Sequence, residues 1–171
     1  HANLIEDPED PLFAKQWHLR NTGQLEGGRR GADVNVVPAW EITEGEGTIA
    51  AVIDDCVQRD HEDLKENYIN GFDFDDLDGD PSPSWPGEGH GTATAGLLAA
   101  RSNAVGVRGV APRTSLVGIK ALSSTLLDMA DAFAFAEANG AMVISNSWGP
   151  VYYWAPTVPP VMNTVLGDAI R

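Results

Sequence analysis

An aspartate that closes an apolar run and a histidine that opens a stretch of small residues are half of a nucleophilic hydrolase. Asp54 follows Thr48-Ile-Ala-Ala-Val-Ile53, and His90 precedes Gly91-Thr-Ala-Thr-Ala-Gly-Leu-Leu-Ala-Ala100. In that chemistry the carboxylate fixes the imidazole tautomer and stabilises the imidazolium, while the imidazole takes a serine proton and hands it to the leaving amine. Asp, then His, then Ser is one of three chain orders known to build the geometry. Ser145-Asn146-Ser147 lies further on, directly after the apolar run Ala141-Met-Val-Ile144.

These residues need a scaffold that gathers them. Residues 48–53 are short, apolar and rich in β-branched side chains, which predicts a strand buried on both faces. Residues 116–122 and 141–144 predict two more strands, separated by a helix over 126–139 that Gly140 ends. Strand, helix, strand implies a parallel sheet and an α/β fold. Ligands of such sheets collect at the carboxyl ends of the strands, where Asp54, His90 and Ser145 to Ser147 are expected. Residues 91–100 predict a tightly packed helix, and 159–171 a final amphipathic one. Residues 1–47 are rich in turn formers, with Pro11-Leu-Phe13 and Trp17-His-Leu19 expected to pin an N-terminal wrap onto the core. No internal repeat or low-complexity tract divides the chain.

The chain has 171 residues and a formal charge of −14, with 43% hydrophobic residues and a single cysteine. That length and composition suit one domain with a real core. The charge opposes nucleic-acid phosphates and anionic lipid, so neither nucleic acid nor membrane is an expected partner. No apolar run approaches the ~20 residues that span a bilayer, and the N-terminus lacks the pattern of a signal peptide. Cys56 has no intrachain partner and is expected to be a buried thiol, its pKa raised by Asp54. Residues 51–100 hold twelve acids and two bases, Arg59 and Lys65. Acid interleaved with Ile53, Tyr68, Ile69, Phe72 and Phe74 is folded acid, and it points to cations.

Three segments in order, Ala51-Val-Ile-Asp54-Asp-Cys, Gly89-His90-Gly-Thr-Ala-Thr-Ala-Gly96 and Ser145-Asn-Ser-Trp-Gly-Pro150, resemble the subtilisin-like serine peptidases. With Asp10-Pro-Leu-Phe-Ala-Lys-Gln-Trp-His-Leu19 and the Asp54-Asp55 pair, the resemblance is strongest to the kexin and furin branch. It implies a three-layer parallel α/β fold, incomplete here, with residues 48–171 forming the N-terminal part of a catalytic domain. It implies that Asp54 orients, that His90 is base then acid, and that Ser147, Trp148 and Gly149 pair with substrate backbone. Asp55 and Glu88 then select a basic side chain beside the scissile residue. Val151-Tyr-Tyr-Trp154 stands where acids for a primary arginine pocket would be expected. The family's Gly-Thr-Ser nucleophile segment and its oxyanion-hole asparagine segment do not occur in these residues. The expected partner is therefore a C-terminal fragment bearing the serine. Arg171, a basic last residue, is what kexin-like processing leaves.

The resemblance also implies Ca²⁺, a hard cation that takes six to eight oxygens. One site would gather the carbonyls of Arg101, Val105 and Val107, the Asn103 amide and the Asp63 carboxylate, with Asp10 closing the shell. A second would use Asp73, Asp76, Asp78 and Asp80. Further expectations are a peptide or protein substrate, a propeptide or inhibitor, and an extracellular or periplasmic location. Two rivals stand beside this: a non-catalytic peptide-binding protein, and a metallohydrolase using Asp54, Asp55, His61 and His90.

Overall fold

The computed structural model describes residues 9–149 and residue 169. Four strands, β1 (Ile49–Asp54), β2 (Tyr68–Asp73), β3 (Ser115–Lys120) and β4 (Val143–Ser145), form a sheet in the order β2-β3-β1-β4. All three pairings are parallel. Helices α1 (His90–Ala99) and α2 (Leu126–Ala138) complete the regular elements.

Alternation along the strands sorts side chains between two layers. Ala51 and Ile53 of β1, with Val117 and Ile119 of β3, pack against Met129, Ala132, Phe133 and Ala136 of α2. Val52 and Leu116 face the other way, onto Ala95 and Ala99 of α1. β1 is thus buried on both faces, as its unbroken apolar run predicts. Asp54 shares parity with Val52, and Lys120 with Leu116. The two are paired in register, so the α1 face ends in one carboxylate and one ammonium.

Local chemistry sets the helix ends. Thr125 and Asp128 exchange side-chain to backbone hydrogen bonds in a capping box at the start of α2. Gly140, at φ 78°, follows the helix in the left-handed conformation. The expected helix over 159–171 lies outside the described residues, apart from Ala169, as does Tyr152 to Trp154.

β2 lies outside the expected strands, because Tyr68, Ile69 and Phe72 do not alternate across Asn70-Gly71, and a register shift falls between Tyr68 and Asn70. The two expected segments do pin the N-terminal wrap, through Phe13 and Leu19, while Trp17 is 46% exposed and Leu12 39% exposed. The anchor is the cluster of Phe13, Leu19, Val36 and Val37 under Trp40. Gln16 adds a buried two-way link, its Nε2 donating to the Arg108 carbonyl and its Oε1 accepting from the Arg108 amide, both at 2.8 Å. Among the described residues no helix is long and apolar enough to cross a membrane.

Candidate active site

The end of β1 and the start of α1 bring Asp54 and His90 together. Asp54 is fully buried, and its Oδ1 lies 2.8 Å from His90 Nδ1. The same oxygen accepts the Asp55 amide at 2.7 Å, which fixes the carboxylate plane. The His90 side chain is 58% exposed, with Nδ1 the ring nitrogen turned to Asp54. The hydrogen bond to Asp54, and then its charge, hold the imidazole pKa above the ordinary 6.5. That arrangement orients an imidazole and stabilises its protonated form, as acid-base chemistry on a neighbouring hydroxyl requires.

The close approach of α1 to β1 depends on Gly91. A Cβ there would collide with the Cys56 carbonyl and with the Asp54 side chain. The helix start has no side-chain cap from its own N-cap residue, Gly89. Asp55 supplies one from a distance: Oδ2 accepts the amides of Gly89 at 3.2 Å and His90 at 3.1 Å, and Oδ1 that of Gly91 at 2.7 Å. Burial pushes the Asp55 carboxyl up, but the three amides outweigh it and hold the pKa below the usual Asp value. Sequence reasoning assigned Asp55 to substrate and missed this role.

Glu88 is tied into the protein too. Its Oε2 accepts the Ser84 amide at 2.6 Å and lies 3.6 Å from Lys120 Nζ. Trp148 donates from Nε1 to the Ile53 carbonyl at 2.6 Å, fastening residues 147–149 beside the end of β1, with Ser147 and Gly149 exposed. Cys56 is buried and free, with its thiol pushed up to about 11. The main cause is burial, and the nearby charge is Asp55 rather than the expected Asp54.

Ligand atoms of Asp54, Asp55 and His90 all lie within 4.8 Å of one another. His61, the fourth member of the metallohydrolase set, is elsewhere, its Nδ1 accepting the Asp63 amide at 3.2 Å. Asp55 already accepts three backbone amides, so the Asp54–His90 pair is capped by it.

The first expected calcium loop does gather oxygens. Asp10 Oδ1 accepts the amides of Asn103 and Ala104 at 3.0 and 3.1 Å, and Asp63 Oδ2 accepts the Val107 amide at 2.9 Å. The other oxygens, Asp10 Oδ2 and Asp63 Oδ1, are buried with no hydrogen-bond partner. Burial raises the Asp63 pKa, and the Asp10 charge adds to the rise. Gly106, at φ 51°, lets the loop close, since a Cβ there would strike Asp63. Asp10 Oδ2 lies 3.8 Å from the buried Arg108 Nη1, which leaves Asp63 Oδ1 as the unpartnered buried oxygen that fits a hard cation. The second loop is arranged differently. Asp73 accepts the amides of Asp75 and Asp76 on one oxygen and meets Lys120 Nζ at 3.1 Å with the other, and Asp80 pairs with Arg59 at 3.0 Å. Asp73 and Asp80 are therefore held by cationic side chains, leaving Asp76 and Asp78 without an ion partner among the described residues.

A parallel α/β sheet with a buried Asp and an exposed His at the adjoining strand end and helix start defines a class of hydrolase scaffold. Comparison with known proteins gives the family: the Subtilase pattern matches residues 45–168, and the chain belongs to the Subtilase family. It is 40% identical over 154 residues to a calcium-dependent protease of Nostoc sp., covering 88% of this chain and 23% of that protein. It is 38% identical to furin-like protease 2 of Drosophila melanogaster, covering 82% of this chain and 8% of that protein. Among solved structures, a serine protease of Aeromonas sobria superposes with a TM-score of 0.77 at 33% identity, over 84% of this chain and 26% of that one. The same protease has also been solved with a chaperone. The chain thus spans between 8% and 26% of these relatives' length.

Proposed function

We propose that this chain is the Asp- and His-bearing part of a calcium-stabilised serine endopeptidase whose nucleophile comes from a C-terminal segment. The observation that carries the proposal is the 2.8 Å contact between buried Asp54 and exposed His90. His90 takes the serine proton through its free nitrogen and returns it to the leaving amine, while Asp54 holds Nδ1. A peptide lies extended along Ser147, Trp148 and Gly149, whose anchoring to Ile53 supports that placement. Glu88 and Asp55 put negative charge near the residue next to the scissile bond, while Asp55 also caps the head of α1. Asp10, Asp63 and Asn103, with the carbonyls of Arg101, Val105 and Val107, hold calcium, which supplies rigidity to the loop after α1. The loop of Asp73, Asp76, Asp78 and Asp80 is held by the Lys120 and Arg59 ion pairs rather than by calcium. The protein acts outside the cytoplasm, where calcium is abundant. An inhibitory or folding partner covers the cleft before activation, a reading supported by the chaperone complex of the Aeromonas sobria relative.

The test joins this chain to the segment that carries the serine. The pair should react with a fluorophosphonate and hydrolyse a peptide, and His90→Ala should cut turnover by about a hundredfold or more without moving the melting temperature. Near-normal turnover in that variant, or peptide binding with no turnover in the parent, would overturn the proposal.

A further inference from the structure

A lysine inside an apolar strand needs a reason. Lys120 ends β3 in register with Asp54, and its side chain is only 3% exposed. Its ammonium meets Asp73 Oδ2 at 3.1 Å, Glu88 Oε2 at 3.6 Å and the Ser84 hydroxyl. Burial pulls its pKa down, but the hydrogen bond to Asp73 and the charges of Asp73, Glu88 and Asp75 outweigh that and keep it charged. Asp73 is the last residue of β2, so one contact locks two neighbouring strand ends. The other two contacts fall in the loop that leaves β2 and delivers His90. Glu88 accepts the Ser84 amide at 2.6 Å, so Lys120 grips a closed turn rather than two loose side chains. Gly89 and His90 follow at once, with their amides on Asp55.

We propose that Lys120 is a positioning residue for the Asp54–His90 pair: by holding Ser84 and Glu88 it fixes the approach of the loop into α1, and so the place where the imidazole meets Asp54. The inference rests on the catalytic role proposed for that pair. Asp55 fixes the helix start through its amides. Lys120 fixes the chain entering it, and without its side chain the 74–89 loop retains Phe74, whose amide donates to the Lys120 carbonyl at 2.8 Å, Pro81, whose carbonyl accepts the Val57 amide at 2.7 Å, and the exposed Arg59–Asp80 pair. None of those touches the residues next to His90.

The experiment uses the serine-complemented protease with labelled histidine and compares Lys120→Met, Lys120→Arg and Ser84→Ala. The readouts are the NMR titration of the His90 ring and its Nδ1 proton resonance, together with kcat and KM. In Lys120→Met the His90 pKa should fall toward 6.5 as the Asp54 contact loosens. The Nδ1 proton signal should broaden, and kcat should drop by about tenfold or more with little change in KM. Lys120→Arg should restore much of each, and Ser84→Ala should show a smaller change of the same sign. Loss of a positive charge by itself moves the His90 pKa upward. A rise or no change in a folded Lys120→Met variant overturns the proposal. If that variant does not fold, an unchanged titration and kcat in Ser84→Ala overturn it. The ring titration needs no turnover, so it reports on Lys120 even where the proposed peptidase activity fails.

Discussion

Asp54 and Asp55 are neighbours with opposite surroundings, and that difference assigns their work. Asp54 points inward to one imidazole, and one of its oxygens, Oδ2, has no hydrogen-bond partner among the described residues. Asp55 reaches across to three amides at the head of α1. Removing the cap leaves those amides competing for water at a partly buried helix end, so Asp55→Ala should lower stability by about 1–2 kcal/mol in urea denaturation, with Asp55→Asn recovering part. Asp54→Asn should leave stability closer to the parent but lose about 10⁴ in kcat, because the amide favours the wrong tautomer. For His90 the sign of the pH dependence follows from its raised pKa. The neutral ring is the base, so turnover should rise along a limb centred above 6.5, and the limb should move down in Asp54→Asn. The charged ring stabilises the fold, fully below 6.5, and that contribution is lost as pH rises through the folded pKa. His90 is exposed, so the melting temperature should change little across the same range.

At the scale of elements, the loop after α1 closes over two buried carboxylates. Asp63 is buried, its pKa raised, with Asp10 beside it. A carboxyl whose folded pKa lies above its unfolded value destabilises the fold as pH rises from the unfolded through the folded pKa. Calcium in the proposed site would offset that by coordinating the ionised form, with protons competing. The stabilisation by calcium, measured as the melting-temperature difference between calcium and chelator, should therefore be larger at pH 7 than at pH 5. Asp63→Asn should raise stability in chelator and abolish the calcium response. An equal response at both pH values would count against the site.

The same elements show what the sequence made readable. β1, α2 and the Asp54 and His90 positions follow from an unbroken apolar run, the terminating Gly140 and motif context, all local signals. Lys120 was visible as a charge inside the run Leu116 to Leu122, an anomaly that burial of an unpaired ammonium makes costly, yet its partners lie in a distant loop. The Asp55 cap was hidden for a similar reason. Capping rules look at the residue just before the helix, and here Gly89 occupies that place while the acceptor comes from the end of β1.

For the whole molecule, charge is the dominant asymmetry, with twelve acids against two bases in residues 51–100 and a net −14. Two effects oppose each other. Self-repulsion among the acids destabilises the compact state, while exposed pairs such as Arg59–Asp80 at 3.0 Å, Arg101–Glu66 at 3.5 Å and Arg113–Glu46 at 3.6 Å stabilise it. Each exposed pair contributes about 0–1 kcal/mol, and 11 bases cannot neutralise 25 acids. Repulsion should win. Raising ionic strength from about 10 mM to about 150 mM shortens the screening length from roughly 30 Å to roughly 8 Å, which weakens the many long-range repulsions more than the few contacts. In chelator, so that the calcium site is silent, the melting temperature should rise with sodium chloride over that range. Each kcal/mol of relieved repulsion should appear as about 2–4 °C. Glu62→Gln, which removes an exposed acid beside Asp63, should raise the melting temperature at low salt and less at high salt. A melting temperature that falls with salt would mean that the ion pairs, together with the buried contacts of Lys120 and the pairing of buried Arg108 with Asp10 and Glu44, outweigh the net charge.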